Sequence, residues 1–337
     1  ALISFIIFII SFFMQDIHPI FTAIQDNNIS LVNDIINTAD FYINIKNVFG
    51  YTPIHFAVSQ NNIEIFKILF EKNPDLNILN NSKNNPLHTA IQFLYKEIFD
   101  ILITSDININ QQNVGQSTPL HLACELQFNH STLESDIYHI VKKLLEKGAN
   151  PNLSNDCGET SIMILSKLSP SPMLELLLNN GAQVDLQDDN GNTALHHAIS
   201  YHEIENFNTL LSYKPNMNLI NSSGNSYLHL SISSGNSYLV EELIAYGINI
   251  DAVNFMNKTA LMLAVENDNS ELTSILLSQN CNIDIVNSFN ETALNIAKKQ
   301  ENTEIINLFQ SFANYNSLRK LIPIEKFVTS RFSKLKV

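Results

Sequence analysis

Apolar residues in this chain fall in short clusters at regular intervals, with polar turns between them. One set of clusters closes on a pair of large aliphatic residues: Leu144-Leu145, Leu177-Leu178, Leu243-Ile244 and Leu276-Leu277. Gly148, Gly181, Gly247 or Asn280 follows each pair. These residue types accept a left-handed backbone and stop a helix. A shorter apolar cluster precedes each pair and opens with a recurring hexapeptide. Its clearest forms are Thr52-Pro53-Ile54-His55-Phe56-Ala57, Thr118-Pro119-Leu120-His121-Leu122-Ala123 and Thr193-Ala194-Leu195-His196-His197-Ala198. Looser copies begin at Asn85, Thr160, Ser226, Thr259 and Thr292, and a degenerate one at His18. Six of the seven intervals from Thr52 to Thr292 are 33 residues, and the seventh, Thr118 to Thr160, is 42. The pattern predicts nine repeats, each a helix, a short loop and a second helix.

Turn residues join the repeats. Two positions before the opening residue stand Gly50, Gly158, Gly191, Gly224, Asn257 and Asn290, which accept positive φ. Five positions before it stand Asn47, Asn80, Asn113, Asn155, Asp188, Asn221, Asn254 and Asn287. Their short side chains can bond their own backbone. A single such repeat cannot bury its apolar face, whereas stacked neighbours can.

The period and the Thr-Pro-Leu-His-x-Ala hexapeptide resemble the ankyrin-repeat family over residues 16–313. The resemblance implies an all-α solenoid of about nine helix-turn-helix repeats with β-hairpin tips. It also implies a non-enzymatic scaffold or adaptor that binds other proteins. The family's contacts are made by the hairpin tips and the exposed side of the first helices. By position, this implies tip contacts at Phe49, Tyr51, Phe255, Met256 and Phe289, and helix contacts at Phe93 and Tyr201. Gln92, Ser200 and Glu266 stand at equivalent helix positions. Aromatics at exposed sites are the usual interface anchors, and a turn does not itself need one. The alternative is partial burial against the next tip.

Two features break the pattern. The long interval carries an insertion around Gln127–Asp136, polar and loop-like. The Thr160 repeat lacks the Pro and the His of the motif, and its second helix is expected to open near Pro170 and Pro172. The ends also differ. Residues 1–15 form an almost wholly apolar N-terminal segment. At about 1.5 Å per helical residue, residues 1–14 fall short of a ~30 Å bilayer core. They are read either as the stump of a membrane or signal segment or as a helix packed on the first repeat. Residues 314–337 are basic, with Arg319, Lys320, Lys326, Arg331, Lys334 and Lys336. They read as a capping helix or tail, or as a contact for an anionic membrane.

Composition removes several functions. The formal net charge is −14, from 19 basic and 33 acidic side chains, which argues against nucleic-acid binding. Cys124, Cys157 and Cys281 are few and widely spaced, as expected of reduced thiols in a cytoplasmic protein rather than a disulfide framework. His55, His88, His121, His196 and His229 all occupy the fourth motif position, so they support the repeat rather than a single reaction. No phosphate-cradling, dinucleotide-binding or metalloprotease motif occurs, and no cofactor or metal is expected. Three settings remain open: a soluble adaptor, a membrane-tethered protein, or the repeat part of a larger enzyme or channel.

Overall fold

Each repeat starts at the first residue of its hexapeptide, which acts as an N-cap. At Thr118 the hydroxyl accepts from the His121 backbone N–H at 3.4 Å. The His121 ring Nδ1 in turn accepts from the Thr118 N–H at 3.2 Å. Two helix-start donors are thereby satisfied reciprocally. Proline follows at the first helical position, where no N–H is required.

The computed structural model describes residues 18–128, 134–168, 170 and 172–321. Nine helix pairs occur among the described residues. The first five are Pro19–Gln25 with Ile29–Ile36, Pro53–Ser59 with Ile63–Phe70, Pro86–Gln92 with Lys96–Leu102, Pro119–Glu125 with Glu134–Glu146, and Ser161–Ser166 with Pro172–Asn179. Then come Ala194–Ser200 with Ile204–Ser212, Tyr227–Ser234 with Ser237–Ala245, Ala260–Glu266 with Ser270–Ser278, and Ala293–Lys299 with Thr303–Leu321. The chain divides into two compact units between Asp189 and Asn190, within the turn that precedes Thr193.

In both units the core runs along the repeat. The third motif position is buried in the first unit at Ile54, Leu87 and Leu120, and in the second at Leu195, Leu228 and Leu261. The sixth is a fully enclosed alanine at 57, 90, 123, 198, 264 and 297, a side chain small enough to let successive first helices approach. Second helices add Phe66, Phe99 and Leu144 in the first unit and Phe207, Leu243 and Leu276 in the second, all fully buried. Each such side chain stabilises by roughly 1.5–3 kcal/mol when removed from water.

The structure refines four expectations. The tips are closed turns rather than paired strands. Among the described residues the only bridges are isolated, at Ser154–Thr160, Ile220–Ser226 and Val253–Thr259. The insertion is not all loop. Glu134–Asp136 form the first turn of a 13-residue helix, where acidic side chains favour the helix N-terminus. Residues 129–133 lie outside the described residues. The second helix of the Thr160 repeat opens at Pro172 rather than Pro170. The last helix runs past Ala313 to Leu321, the last described residue, with no Gly or Pro along the way. The apolar segment 1–14 and residues 322–337 lie outside the described residues. No helix among the described residues is long and apolar enough to cross a membrane.

Candidate functional site

Most tips are built around the asparagine five positions before the motif, Asp188 holding that place before Thr193. Asn47 Oδ1 accepts from the Phe49 and Tyr51 backbone N–H groups, both at 3.0 Å. Asn80, Asn155, Asn221, Asn254 and Asn287 bond their own turns in the same way, to the residues two and four further on. The turn closes through a left-handed residue before each of the eight repeats from Thr52 onward, from Gly50 at φ 76° to Asn290 at φ 60°.

Neighbouring tips are tied by backbone hydrogen bonds. In the first unit Asn81 N–H donates to Phe49 O at 3.1 Å, Val114 to Ser82 at 2.9 Å, and Asp156 to Gly115 at 3.0 Å. In the second unit Ser222 donates to Asn190 at 2.8 Å, Phe255 to Ser223 at 3.3 Å, and Ser288 to Met256 at 3.0 Å. The tip side chains are therefore presented on a fixed backbone.

Most of the implied contact residues project from this frame. Phe49 is 66% exposed in the first unit, and Phe255 and Phe289 are 70% and 66% exposed in the second. Met256 is also exposed. Tyr51 is half-buried, its ring edge-on to His55 at 6.0 Å between centroids. Phe255 faces two ways: its ring covers Gly224, where an added Cβ would lie 2.6 Å from Cδ1. Phe93 and Tyr201 do not lie within their first helices but end them as C-caps, both exposed. Phe93 stacks on Tyr95 at 5.6 Å. Phe49 and Phe93 belong to the first unit, and Tyr201, Phe255, Met256 and Phe289 to the second. Val48 and Val114 are further exposed apolar tip residues, in the first unit. A lone valine beside a turn carries no signal of its own in the sequence.

Charges below the tips are largely paired internally. Lys167 bonds Glu159 in the first unit, and Lys258 bonds Glu266 at 2.8 Å in the second, where Lys299 also bonds Glu291. Glu125 is the exception. Burial, then Glu159 and Asp156, push its carboxyl above the ordinary range. The motif histidines are committed to the backbone. His55 Nε2 meets Asn84 O at 3.2 Å and His121 Nε2 meets Glu159 O at 3.0 Å, while each Nδ1 serves its own N-cap. Neither ring has a nitrogen left for a metal or for proton transfer.

The chain matches the family described as Ankyrin repeats (3 copies) over residues 20–113, 130–221 and 207–287, more than half of its length. It belongs to the ankyrin-repeat family. No curated protein matches it. Among solved structures it is similar to the ankyrin repeat domain of Bcl-3, described as a unique member of the IkappaB protein family. The TM-score is 0.59 at 23% identity, covering 67% of this chain and 98% of that one. At that identity the likeness is one of fold. Ankyrin repeats are protein–protein interaction modules, and the all-α solenoid of helix pairs is the fold they share.

Proposed function

We propose that this chain is a protein-binding scaffold or adaptor without chemistry of its own, engaging partners through its tips and the ends of its first helices. One observation carries the reading: Phe49, Phe255 and Phe289 project from turns whose backbone is already satisfied by asparagine, so folding has little use for an aromatic there. Free Cys124, Cys157 and Cys281 support a reducing, cytoplasmic setting. The test is a variant carrying Phe49→Ser, Tyr51→Ser, Phe255→Ser and Phe289→Ser, assayed against a partner obtained by pull-down. Its thermal midpoint should stay nearly unchanged while affinity falls at least tenfold, about 1.4 kcal/mol. A variant that unfolds would show the aromatics holding neighbouring repeats together, and a folded one that binds as tightly as the parent removes the tips from the interface.

A further inference from the structure

The histidine at the fourth motif position has two partners. His55 Nδ1 accepts from the Thr52 N–H at 3.4 Å and lies 2.7 Å from the Thr52 hydroxyl. The ring proton therefore sits on Nε2, which donates to the Asn84 carbonyl of the next repeat. His121 is held in the same way between Thr118 and the Glu159 carbonyl. In the second unit His229 lies between Ser226 and the Lys258 carbonyl at 2.9 Å. His88 differs: its Nδ1 lies 3.3 Å from the Asn85 N–H but only 2.7 Å from the Asn85 Oδ1, an acceptor, so a ring proton suits Nδ1 there. At His55, His121 and His229 a second proton would have to enter at Nδ1, the atom at which the N-cap N–H already points. Protonation and the helix start exclude each other.

Four repeats differ, the first having Phe21 at this position. The Thr160 repeat has Met163, whose sulfur takes the N-cap N–H at 3.4 Å. The Thr259 repeat has Met262, and the Thr292 repeat has Asn295, whose Oδ1 takes that N–H at 3.0 Å. None of these side chains gains a proton in mild acid.

We propose that mild acid loosens this protein regionally, opening the repeats capped by His55, His121 and His229 while those capped by Met262 and Asn295 hold. The direction follows from linkage. Burial, the largest influence on each, pushes His55 and His88 down to about 4 and lowers His121 and His229 as well. The charged groups around them do not reverse this. Lys46 and His88 further disfavour charge on His55, the Glu159 carboxylate favours it on His121, and backbone carbonyls are the groups that favour it on His88 and His229. An opened repeat regains the ordinary histidine value near 6.5. From there down to the lowered value of the closed form, about 4 for His55, the open form binds a proton that the closed form refuses, and above about 6.5 neither does. Within that window each histidine raises its opening constant by up to about tenfold per pH unit.

Hydrogen exchange of the intact chain at pH 7 and pH 5, corrected for intrinsic exchange rates, tests this. The opening constant for the first helix of the Thr52 repeat should rise at least about tenfold, those of the Thr118 and Ser226 repeats should also rise, and that of the Thr292 repeat should change less than about threefold. Uniform loosening of all repeats, or none, overturns the proposal. His229→Asn, which copies the Asn295 cap, should remove the acid response of the Ser226 repeat. Should that variant not fold, Met262→His should confer the response on the Thr259 repeat. Failure of the folded variant to change its repeat's response also overturns the proposal.

Discussion

Asparagine holds three places in the repeat. One closes the tip, as at Asn47 and Asn254. A second caps the second helix: Asn62 accepts from the Ile65 N–H at 3.0 Å and Asn269 from the Leu272 N–H at 2.9 Å. A third reaches across repeats, where Asn77 Oδ1 accepts from the Asn108 N–H at 2.7 Å and Asn152 from the Gln183 N–H at 2.8 Å. Only the first of these was legible from the turn pattern. The third needs the partner repeat in place. Left-handed residues divide in the same way. Gly50 sits at φ 76°, and an added Cβ would lie 2.7 Å from the Asn81 backbone nitrogen. Lys83 and Gln116 hold the same turn position at φ 57° and 55° without being glycine or asparagine. A non-glycine residue there is strained by roughly 1–2 kcal/mol, partly offset by the entropy that glycine adds to the unfolded chain. Gln116→Gly is therefore expected to stabilise by about 0.5 kcal/mol. Gly50→Ala should destabilise by more than about 1 kcal/mol. Urea unfolding midpoints of the two variants check both signs.

At the scale of elements, first helices are short and depend on their caps and neighbours. Isolated helices of seven residues do not persist in water, so packing between repeats holds them. The Glu134–Glu146 helix is longer because the insertion adds its first turn. It meets the preceding second helix through Lys96 with Asp136 and Asp100 with His139, each at 2.6 Å. Exposed pairs of this kind contribute at most about 1 kcal/mol. The buried side chains decide more. Leu144 is fully enclosed and Leu145 nearly so, as the sequence led one to expect of that pair. Leu144→Ala should cost about 2–5 kcal/mol. The loss should centre on the Asn85, Thr118 and Thr160 repeats, because each repeat packs on its neighbours. Hydrogen exchange resolved by peptide would show it, and equal loosening of both units would contradict it.

At the scale of the molecule, repeats that contact only their neighbours carry stability in parts. Residues 190–337 form one of the two compact units, and its four helix pairs Ala194–Leu321 bring their own buried leucines and alanines. Expressed alone, this piece should keep a helical circular dichroism spectrum and a cooperative thermal transition. A featureless coil spectrum would show that it needs the rest of the chain. The sequence by itself determined the period, the helix pairs, the capping residues and the apolar positions that become the core. All of these follow from local chemistry repeated at a constant interval, and repetition makes a weak signal readable. It also placed Phe49, Phe255 and Phe289 at turns. Only the tertiary structure decided which tip side chains stay exposed, that Tyr51 turns toward His55, and that the Phe255 ring covers Gly224. It likewise decided which carbonyl each histidine holds in the next repeat. Those outcomes depend on how closely one repeat approaches another, a distance between residues about 30 positions apart that no local pattern encodes.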